Sequence, residues 1–185
     1  MPTPETRTIL QTNPVAQQLL QSTIPARLAY TWHDGTPRVV PMWFHWTGED
    51  FVMGAPPNAP KMRALADRPD VAVAIDSNEW PYQVLTIRGI AAVTEVEGFF
   101  PEYAAMARRY LGEAGGEQFM GLATQRFTRW ARITIRPEEV RLLDFRTDLP
   151  SAWRHRAAAP SQRRARGNRA CGGVRGRGSG AREDL

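Results

Sequence analysis

The chain has 185 residues, of which 42% are hydrophobic and 23% are charged, which is enough for one domain with a substantial core and too few for two large ones. Its net charge of +5 is distributed unevenly: residues 151–185 carry nine arginines against two acidic residues, a net of +7, so residues 1–150 carry −2. The basic character belongs to the C-terminal tail. It gives no evidence that the folded body binds nucleic acid.

Several classes of protein are disfavoured. The single cysteine, Cys171, allows neither an internal disulfide nor a thiolate metal cluster, and it fits a reducing compartment. No apolar stretch approaches 18 residues, and the N-terminus lacks the basic start and apolar segment of a secretory signal. We therefore expect a cytoplasmic protein with no membrane partner.

The composition predicts two regions, a folded domain over residues 1–150 and a tail over residues 151–185. The tail is rich in Arg, Gly, Ala and Ser and almost lacks large apolar residues, so it is expected to be disordered. Arg-Gly segments can bind RNA through charge and stacking, but residues 172–178 contain no interleaved aromatic residue. Nucleic-acid binding is therefore the less favoured interpretation of the tail.

The first half of the chain predicts one helix and then strands. Asn13-Pro14 is typical of a helix N-cap and first turn, and the helix continues through Leu20. Apolar, β-rich runs at residues 27–32, 38–46 and 51–55 are separated by turn signatures, His33-Asp34-Gly35 and residues 47–50. These three runs predict an antiparallel meander.

The second half predicts further strands interrupted by helices. A short helix is expected over residues 61–66, and two more from Phe100 to Leu111 and over about 117–127. The predicted strands are residues 71–75, 84–96, 130–135 and 140–145; Gly89 is placed for a bulge or a close backbone approach, and a turn at 136–139 joins the last two. About seven strands with a few helices favour a mainly β protein, a small antiparallel barrel with helical lids.

Lys61 is the only lysine beside 23 arginines, and it opens a predicted helix directly after the turn-rich loop 55–60. A cation at a strand-to-helix junction, next to free helix amides, is well placed to hold a phosphate. The alternative interpretation is an ordinary solvated charge.

The residues disfavour a metal site and nucleophilic catalysis. The three histidines, His33, His45 and His155, have no ligand spacing, and neither a Gly-x-Ser-x-Gly elbow nor a phosphate-binding P-loop is present. No catalytic residue is identified. A cofactor enzyme does not require one, because the cofactor carries the difficult step.

The segments 38–44, 51–55, 61–65 and 68–73 resemble the pyridoxamine 5′-phosphate oxidase-like family, which includes the FMN- and F420-dependent split-barrel oxidoreductases. Residues 84–91 match the family's strand that ends in Gly and a small residue, and 132–145 look like its closing strands. The resemblance covers about residues 25–149. It implies a split antiparallel β-barrel that forms a homodimer, with a cofactor groove between the subunits.

The resemblance also implies cofactor-binding residues. Lys61 matches the phosphate-binding lysine, and Arg38 matches a basic residue that reaches the phosphate in some members. The remaining implied positions line the cofactor or lie beside it: Val39, Pro41, Met42, Trp43, Ala55, Met62 and Arg88. Before the resemblance is considered, packing in the core or at a dimer interface is the favoured interpretation of Trp43 over stacking on a cofactor ring, and for Arg88 a solvated position on the strand is favoured.

Two positions depart from the family. Pro60 and Trp43 stand where the true oxidases often place basic residues, and their C-terminal signature for pyridoxal phosphate is not visible. The expected function is therefore hydride transfer between bound FMN, or alternatively F420, and another small organic substrate. A non-enzymatic carrier of flavin, F420 or haem remains the alternative.

Overall fold

A computed structural model describes residues 3–148. The predicted domain boundary near residue 150, the tail, His155 and Cys171 lie outside these residues. The helices are α1 (Pro4–Thr12), α2 (Pro14–Gln21), α3 (Lys61–Asp67) and α4 (Pro101–Arg126). The strands are β1 (Ala26–Thr31), β2 (Pro37–Met42), β3 (His45–Trp46), β4 (Phe51–Ala55), β5 (Asp70–Asp76), β6 (Gln83–Glu97) and β7 (Arg129–Asp144).

The seven strands form one antiparallel sheet in the order β2-β1-β5-β6-β7-β4-β3. Strands β2 and β3 lie at opposite edges of this sheet, yet only Trp43 and Phe44 separate them in the chain. Three Cα–Cα steps span at most about 11 Å, so the two edges must lie close together. The sheet is therefore curled into a split barrel, which confirms the predicted fold class.

The barrel interior is filled by alternate residues of the strands, as the period-two apolar pattern requires. Side chains that are fully buried come from five of the seven strands: Leu28, Phe51, Met53, Val73, Ile75, Leu85, Ile87, Ile133 and Ile135. Their neighbours in sequence point outward, toward solvent or toward α4. The hydrophobic pattern therefore fixes which face of each strand looks inward.

The predicted meander is wrong in its middle. The run 38–46 is interrupted at Trp43 and Phe44: β2 pairs with β1, whereas β3 pairs with β4, which continues the sheet to β7. The physical reason is that these two aromatic residues leave the ladder in different directions. Phe44 is fully buried in the core, and Trp43 packs on α4.

The predicted turn at 136–139 is also wrong, because β7 runs without interruption through these residues. The pairing of β6 with β7 shifts register between Arg88 and Gly89, which pair with Glu139 and Pro137. Glu138 is therefore the extra residue of a β-bulge. Pro137 has no N–H, which a bulge tolerates. The prediction of a bulge or close approach at Gly89 is confirmed, since a Cβ there would overlap the carbonyl oxygen of Arg136.

The helices around the barrel are largely as expected. Asn13 caps α2, because its side chain accepts bonds from the N–H groups of Val15 and Ala16. Helix α1, whose N-cap is Thr3, was not predicted from the sequence. Both predicted late helices exist within α4, and Gly112, with φ of 76°, marks the break between them.

Helix α4 covers the outer side of β4 and β7. Tyr103 and Met106 of α4, together with its N-cap residue Phe100, pack with Val52 and Trp130 in a second apolar cluster. Gly54 leaves the space that the Tyr103 ring occupies, since a Cβ at that position would overlap the ring. Burial raises the pKa of Tyr103 to about 12, so its phenol stays neutral over the ordinary pH range.

Arg109 ties α4 to the rest of the domain. Its guanidinium donates to the carbonyl of Leu20, at 3.0 Å, and to that of Phe44. The same group lies over the rings of Phe44 and Tyr110, with its central carbon 4.7 and 5.0 Å from their centroids. Leu20 lies in the last turn of α2, where a cation also meets the negative end of the helix dipole.

Candidate functional site

The connection from β4 to α3 places Lys61. Strand β4 ends at the buried Ala55, and the loop that follows closes by two turn hydrogen bonds: Ala59 N–H donates to the carbonyl of Pro56 at 3.0 Å, and Met62 N–H donates to that of Ala59 at 2.9 Å. Lys61 is therefore held at the first residue of α3. The Met62 amide, predicted to face a ligand, already has this acceptor within the loop.

Lys61 is half-buried, and its ammonium has no carboxylate within ion-pairing distance among residues 3–148. Burial lowers its pKa, and no neighbouring acid offsets that effect. A partly desolvated cation without a counter-ion is costly for the fold. An anionic ligand at this position would supply the missing partner.

A cavity of about 420 Å³ adjoins this loop. It is lined on one side by Trp32 and His33, where β1 ends, and on the other by the loop 57–60 with Met62 and Arg63. The volume lies within the range of small-molecule sites. The loop 57–60 and the start of the β1–β2 hairpin thus form two walls of one open pocket.

Arg68 fixes the hairpin wall. Its guanidinium donates to the carbonyls of Trp32 at 2.9 Å and His33 at 3.3 Å. His33 Nδ1 also lies 3.5 Å from a carboxylate oxygen of Asp67, at the end of α3. Both contacts join the β1–β2 hairpin to the helix that Lys61 opens, so the two walls are held together by α3.

Arg38 lies beside Trp32, on the same hairpin. Its guanidinium carbon is 5.8 Å from the centroid of the Trp32 ring, and it donates to the Thr36 hydroxyl at 2.6 Å. The nearest acid, Asp34, is 3.9 Å away, and the Arg38 side chain remains 44% exposed. The guanidinium is thus available to an anion bound beside Trp32. Arg38 contacts Trp32, and Lys61 lies between Pro60 and Met62. These three neighbours line the cavity, whereas Arg38 and Lys61 themselves do not.

The other predicted cofactor-binding residues of β2 (Val39, Pro41 and Met42) lie along the strand, away from the cavity beside Trp32. Arg38 pairs with Tyr30 and Met42 with Ala26, four residues or about 13 Å along the strand. The side chains of Val39 and Pro41 point outward and are exposed, whereas that of Met42 is buried in the core. A cofactor along this strand would meet Met42 through its main chain.

Trp43 lies beyond the end of β2 and stacks on Tyr110 of α4, with ring centroids 5.1 Å apart and planes within 9°. A second contact, edge-on to Phe119, fixes the indole in the cluster beneath α4. The packing interpretation of Trp43 therefore describes this side chain well. Its role as a ring-stacking residue stays a prediction.

Arg88 lies apart from Lys61 and its neighbouring cavity, on the outer face of β6. Its side chain is 73% exposed and forms an ion pair of 3.0 Å with Glu139 on β7. An exposed pair of this kind contributes little to stability. The solvated interpretation fits this placement, and phosphate contact by Arg88 stays a prediction.

Trp32 and His33 were not predicted to be parts of the candidate site, and Arg68 was considered from the sequence only as a helix stop and as a contact for the anionic tail of F420. Their signal was present in the sequence only as the end of a strand, a turn and a helix stop. The Trp32 ring and the two carbonyls that Arg68 holds become neighbours of α3 because β1 and β5 pair antiparallel, which brings the end of β1 beside the start of β5. No local pattern encodes that long-range pairing.

A second group of ionisable side chains lies under α4. Glu102 accepts a 2.6 Å bond from Arg132, which holds the pKa of that carboxyl below its usual range. Burial, and then the charge of Arg109, lower the pKa of His45, so this imidazole is neutral at pH 7. Among residues 3–148, no three His, Cys, Asp or Glu side chains are placed to hold a metal ion.

No protein-family model matches the chain, and no curated protein matches it. Solved structures do. An F420 reductase is 28% identical, covering 68% of this chain and 94% of its own, with a TM-score of 0.53. A conserved hypothetical protein from Mycobacterium tuberculosis is 19% identical, covering 75% and 89%, with a TM-score of 0.60. HutZ, the haem storage protein from Vibrio cholerae, is 21% identical, covering 72% and 94%, with a TM-score of 0.53.

These likenesses confirm the fold that the sequence predicted. The M. tuberculosis protein and HutZ, with identities below 25%, are evidence for the fold alone. In the part of the chain that the structure describes, every helix is too short or too polar to cross a bilayer.

Proposed function

We propose that this chain, whose fold resembles the pyridoxamine 5′-phosphate oxidase-like split barrels, binds the phosphate of FMN, or alternatively of F420, at Lys61. In this proposal the protein is an oxidoreductase that acts on a small organic substrate in the cytoplasm. When bound, either cofactor supplies hydride transfer. The protein's own residues supply binding and orientation.

The observation that carries the proposal is the state of Lys61. This ammonium is half-buried, lacks a carboxylate partner within residues 3–148 and stands at the start of a helix beside a 420 Å³ cavity. The F420 reductase that resembles this chain supports the class of cofactor. The solvated interpretation of Lys61 does not account for its burial.

Arg38 and Arg63 would add positive charge on two sides of the phosphate. Arg63 lines the cavity directly, and the guanidinium carbon of Arg38 lies 5.8 Å from the centroid of the Trp32 ring, which is part of the lining. Guanidinium groups bind phosphate oxygens in pairs, so they add orientation as well as charge. Trp32 and His33 would then form the wall that excludes water from the same end of the ligand.

The outer face of the sheet supports the proposed homodimer. At its centre the outward residues are small (Ala29, Ala72 and Ala74), so a second sheet could approach closely. Large apolar side chains are exposed around them: Val39 at 62%, Ile90 at 37% and Leu143 at 41%. A two-fold interface is self-complementary, and this face carries apolar groups together with cations and anions. Val39 and Pro41 of the predicted groove lie on this face.

The visible absorption spectrum of the purified protein, followed by titration with FMN, tests the proposed cofactor. Bound flavin gives a yellow protein. A colourless protein that quenches the fluorescence of added F420 instead identifies the alternative. If neither cofactor binds at micromolar concentrations, the proposal is refuted.

The carrier alternative has its own support in the cavity lining. His33, whose imidazole is a side chain of the type that most often ligates metals, lines the cavity, and its Nδ1 lies 3.5 Å from a carboxylate oxygen of Asp67. Reduction of the bound cofactor by NAD(P)H and its reoxidation by a panel of acceptors distinguish the two functions. Tight binding without turnover would favour a carrier of flavin, F420 or haem.

Replacing Lys61 with Ala is expected to weaken FMN binding by roughly tenfold to a hundredfold, the worth of one charge-assisted contact. The fold should tolerate the change, because the lost ammonium has no partner in the described protein. Isothermal titration calorimetry measures the affinity. Arg126→Gln, which removes an exposed cation at the end of α4, is the matched control and should leave the affinity unchanged. Equal affinity of Lys61→Ala and the control would place the phosphate elsewhere.

The same affinity should depend on pH with a definite sign. Only the protonated ammonium attracts phosphate, and burial lowers the pKa of Lys61. Affinity should therefore fall as the pH rises, starting below the pH at which an ordinary lysine loses its proton. Lys61→Arg keeps its charge throughout this range, so its affinity should stay level. An identical alkaline fall in both proteins would assign the titration to another group.

A further inference from the structure

A second cavity lies at the opposite end of β4 from Lys61. Its volume is about 460 Å³, and it is built from α1, the turn between β3 and β4, and the bulge of β7. The turn precedes the first residue of β4, and the loop that leads to Lys61 follows the last one, so the length of β4, about 16 Å, separates the turn from that loop. The cofactor proposed above therefore does not account for this cavity.

Folded elements hold the cavity walls. The Thr6 hydroxyl of α1 donates to the carbonyl of Glu138, at 3.3 Å, which docks the helix on the bulge. In the turn, the Thr47 hydroxyl accepts from the N–H of Asp50 at 2.9 Å and from that of Glu49 at 3.3 Å. These bonds use main-chain groups, so the side chains of the turn remain available to a ligand.

The charged lining is balanced: Arg7 and Arg136 face Glu49 and Asp50, two cations against two anions. Arg136 Nε lies 3.7 Å from Asp50, close enough for an ion pair and too far for a hydrogen bond, and its side chain is 68% exposed. Within residues 3–148, Arg7 and Glu49 have no ion-pair partner. Within the described residues, one cation and one anion without ion-pair partners thus line the same pocket.

The remaining walls are apolar. Leu10 is 2% exposed and forms part of the floor, and Pro137 lies beside it on the bulge. The half-buried Trp46 ring packs on Phe51, with centroids 4.8 Å apart, and lines the cavity as well. A planar apolar group can bury itself against these surfaces, because indole and proline present flat faces.

We infer that this cavity binds a free α-amino acid with an aromatic side chain. The carboxylate would bind the guanidinium of Arg7, the ammonium would bind the carboxylate of Glu49, and the ring would lie against Trp46 and Pro137. A zwitterion matches a lining whose charges cancel, whereas a dianion or a simple cation would leave one charge unbalanced. The geometry of Arg favours a carboxylate over a spherical anion.

Titration calorimetry of the full chain with L-tryptophan tests this inference. We expect saturable 1:1 binding, weakened about tenfold or more by Arg7→Gln and by Glu49→Gln, since each removes one charge-assisted contact. Both residues are exposed, and a thermal melt checks that the variants stay folded. Arg129→Gln, an exposed arginine of β7 outside the cavity, is the matched control and should bind as the parent does.

Two analogues test the zwitterion directly. Indole-3-propionate lacks the ammonium and tryptamine lacks the carboxylate, so each should bind at least about tenfold more weakly than L-tryptophan. The inference is overturned if L-tryptophan gives no saturable heat at millimolar concentration, or if either analogue binds equally well. Competition by inorganic phosphate with an affinity above that of the amino acid would identify a simple anion site and would also overturn it.

Discussion

Arg109→Ala should lower the free energy of unfolding by about 3 kcal/mol or more, because it removes two charge-assisted hydrogen bonds to buried carbonyls, each worth roughly 1.5–3 kcal/mol. The carbonyls of Leu20 and Phe44 would lose these donors, and the space between the rings of Phe44 and Tyr110 would be left partly empty. Urea unfolding, followed by far-UV circular dichroism, measures the loss. A second, earlier transition would show that α4 detaches before the barrel unfolds.

Two control variants separate the causes. Arg108→Ala changes the adjacent residue, whose guanidinium pairs at the surface with Glu113 and Glu117, and should leave the urea midpoint nearly unchanged. Arg109→Met retains an apolar stem between the rings, so its loss relative to the parent isolates the carbonyl bonds. Equal stability of Arg109→Ala and Arg108→Ala would mean that the buried guanidinium does not stabilise the domain.

Much of the barrel could be predicted because period-two apolar patterns report which residues face a core. The run Phe51–Ala55 and the bulge at Gly89 were both readable, the first from its apolar residues and the second from a glycine inside a β-branched strand. The helix at Lys61 was readable as well, since a proline-rich loop precedes it. These patterns are local in sequence, so they can be recognised without knowing the order of the strands in the sheet.

Strand pairing could not be predicted, because it depends on contacts between residues far apart in sequence. Residues 38–46 form a nearly continuous apolar run, so nothing in it shows that Phe44 enters the core while Trp43 packs on Tyr110. Likewise Arg136-Pro137 has the composition of a turn. Only the partner strand β6, with Gly89 opposite Pro137, makes it a bulge.

The candidate site shows the same division. Lys61 could be singled out from its own position in the sequence, but the neighbouring cavity depends on Trp32, which lies 29 residues earlier in the chain and reaches α3 through the pairing of β1 with β5. Within residues 3–148 the ammonium is half-buried and has no carboxylate partner, and this state is also a property of three-dimensional packing. The sequence therefore indicated Lys61, whereas only the structure shows the cavity next to it.

Gly89→Ala should destabilise the domain by about 3 kcal/mol, the upper end of the usual cost of overpacking. The added Cβ would overlap the main-chain carbonyl oxygen of Arg136 and lie 3.3 Å from a methyl carbon of Ile135. A main-chain oxygen within a ladder cannot rotate aside as a flexible side chain can. The two longest strands, β6 and β7, would have to separate at the bulge. Thermal and urea unfolding of the variant measure this cost.

Gly121→Ala is the matched control for the same chemical change. Gly121 lies in α4, is exposed, and has nothing within 4 Å of a built Cβ, so alanine should raise stability by about 0.5–1 kcal/mol through helix propensity. The two glycine variants should therefore shift the urea midpoint in opposite directions. If Gly89→Ala were neutral, β7 would have to relax at Pro137 without loss of pairing. The bulge would then be a flexible joint, and the cavity built on it would lose its fixed wall.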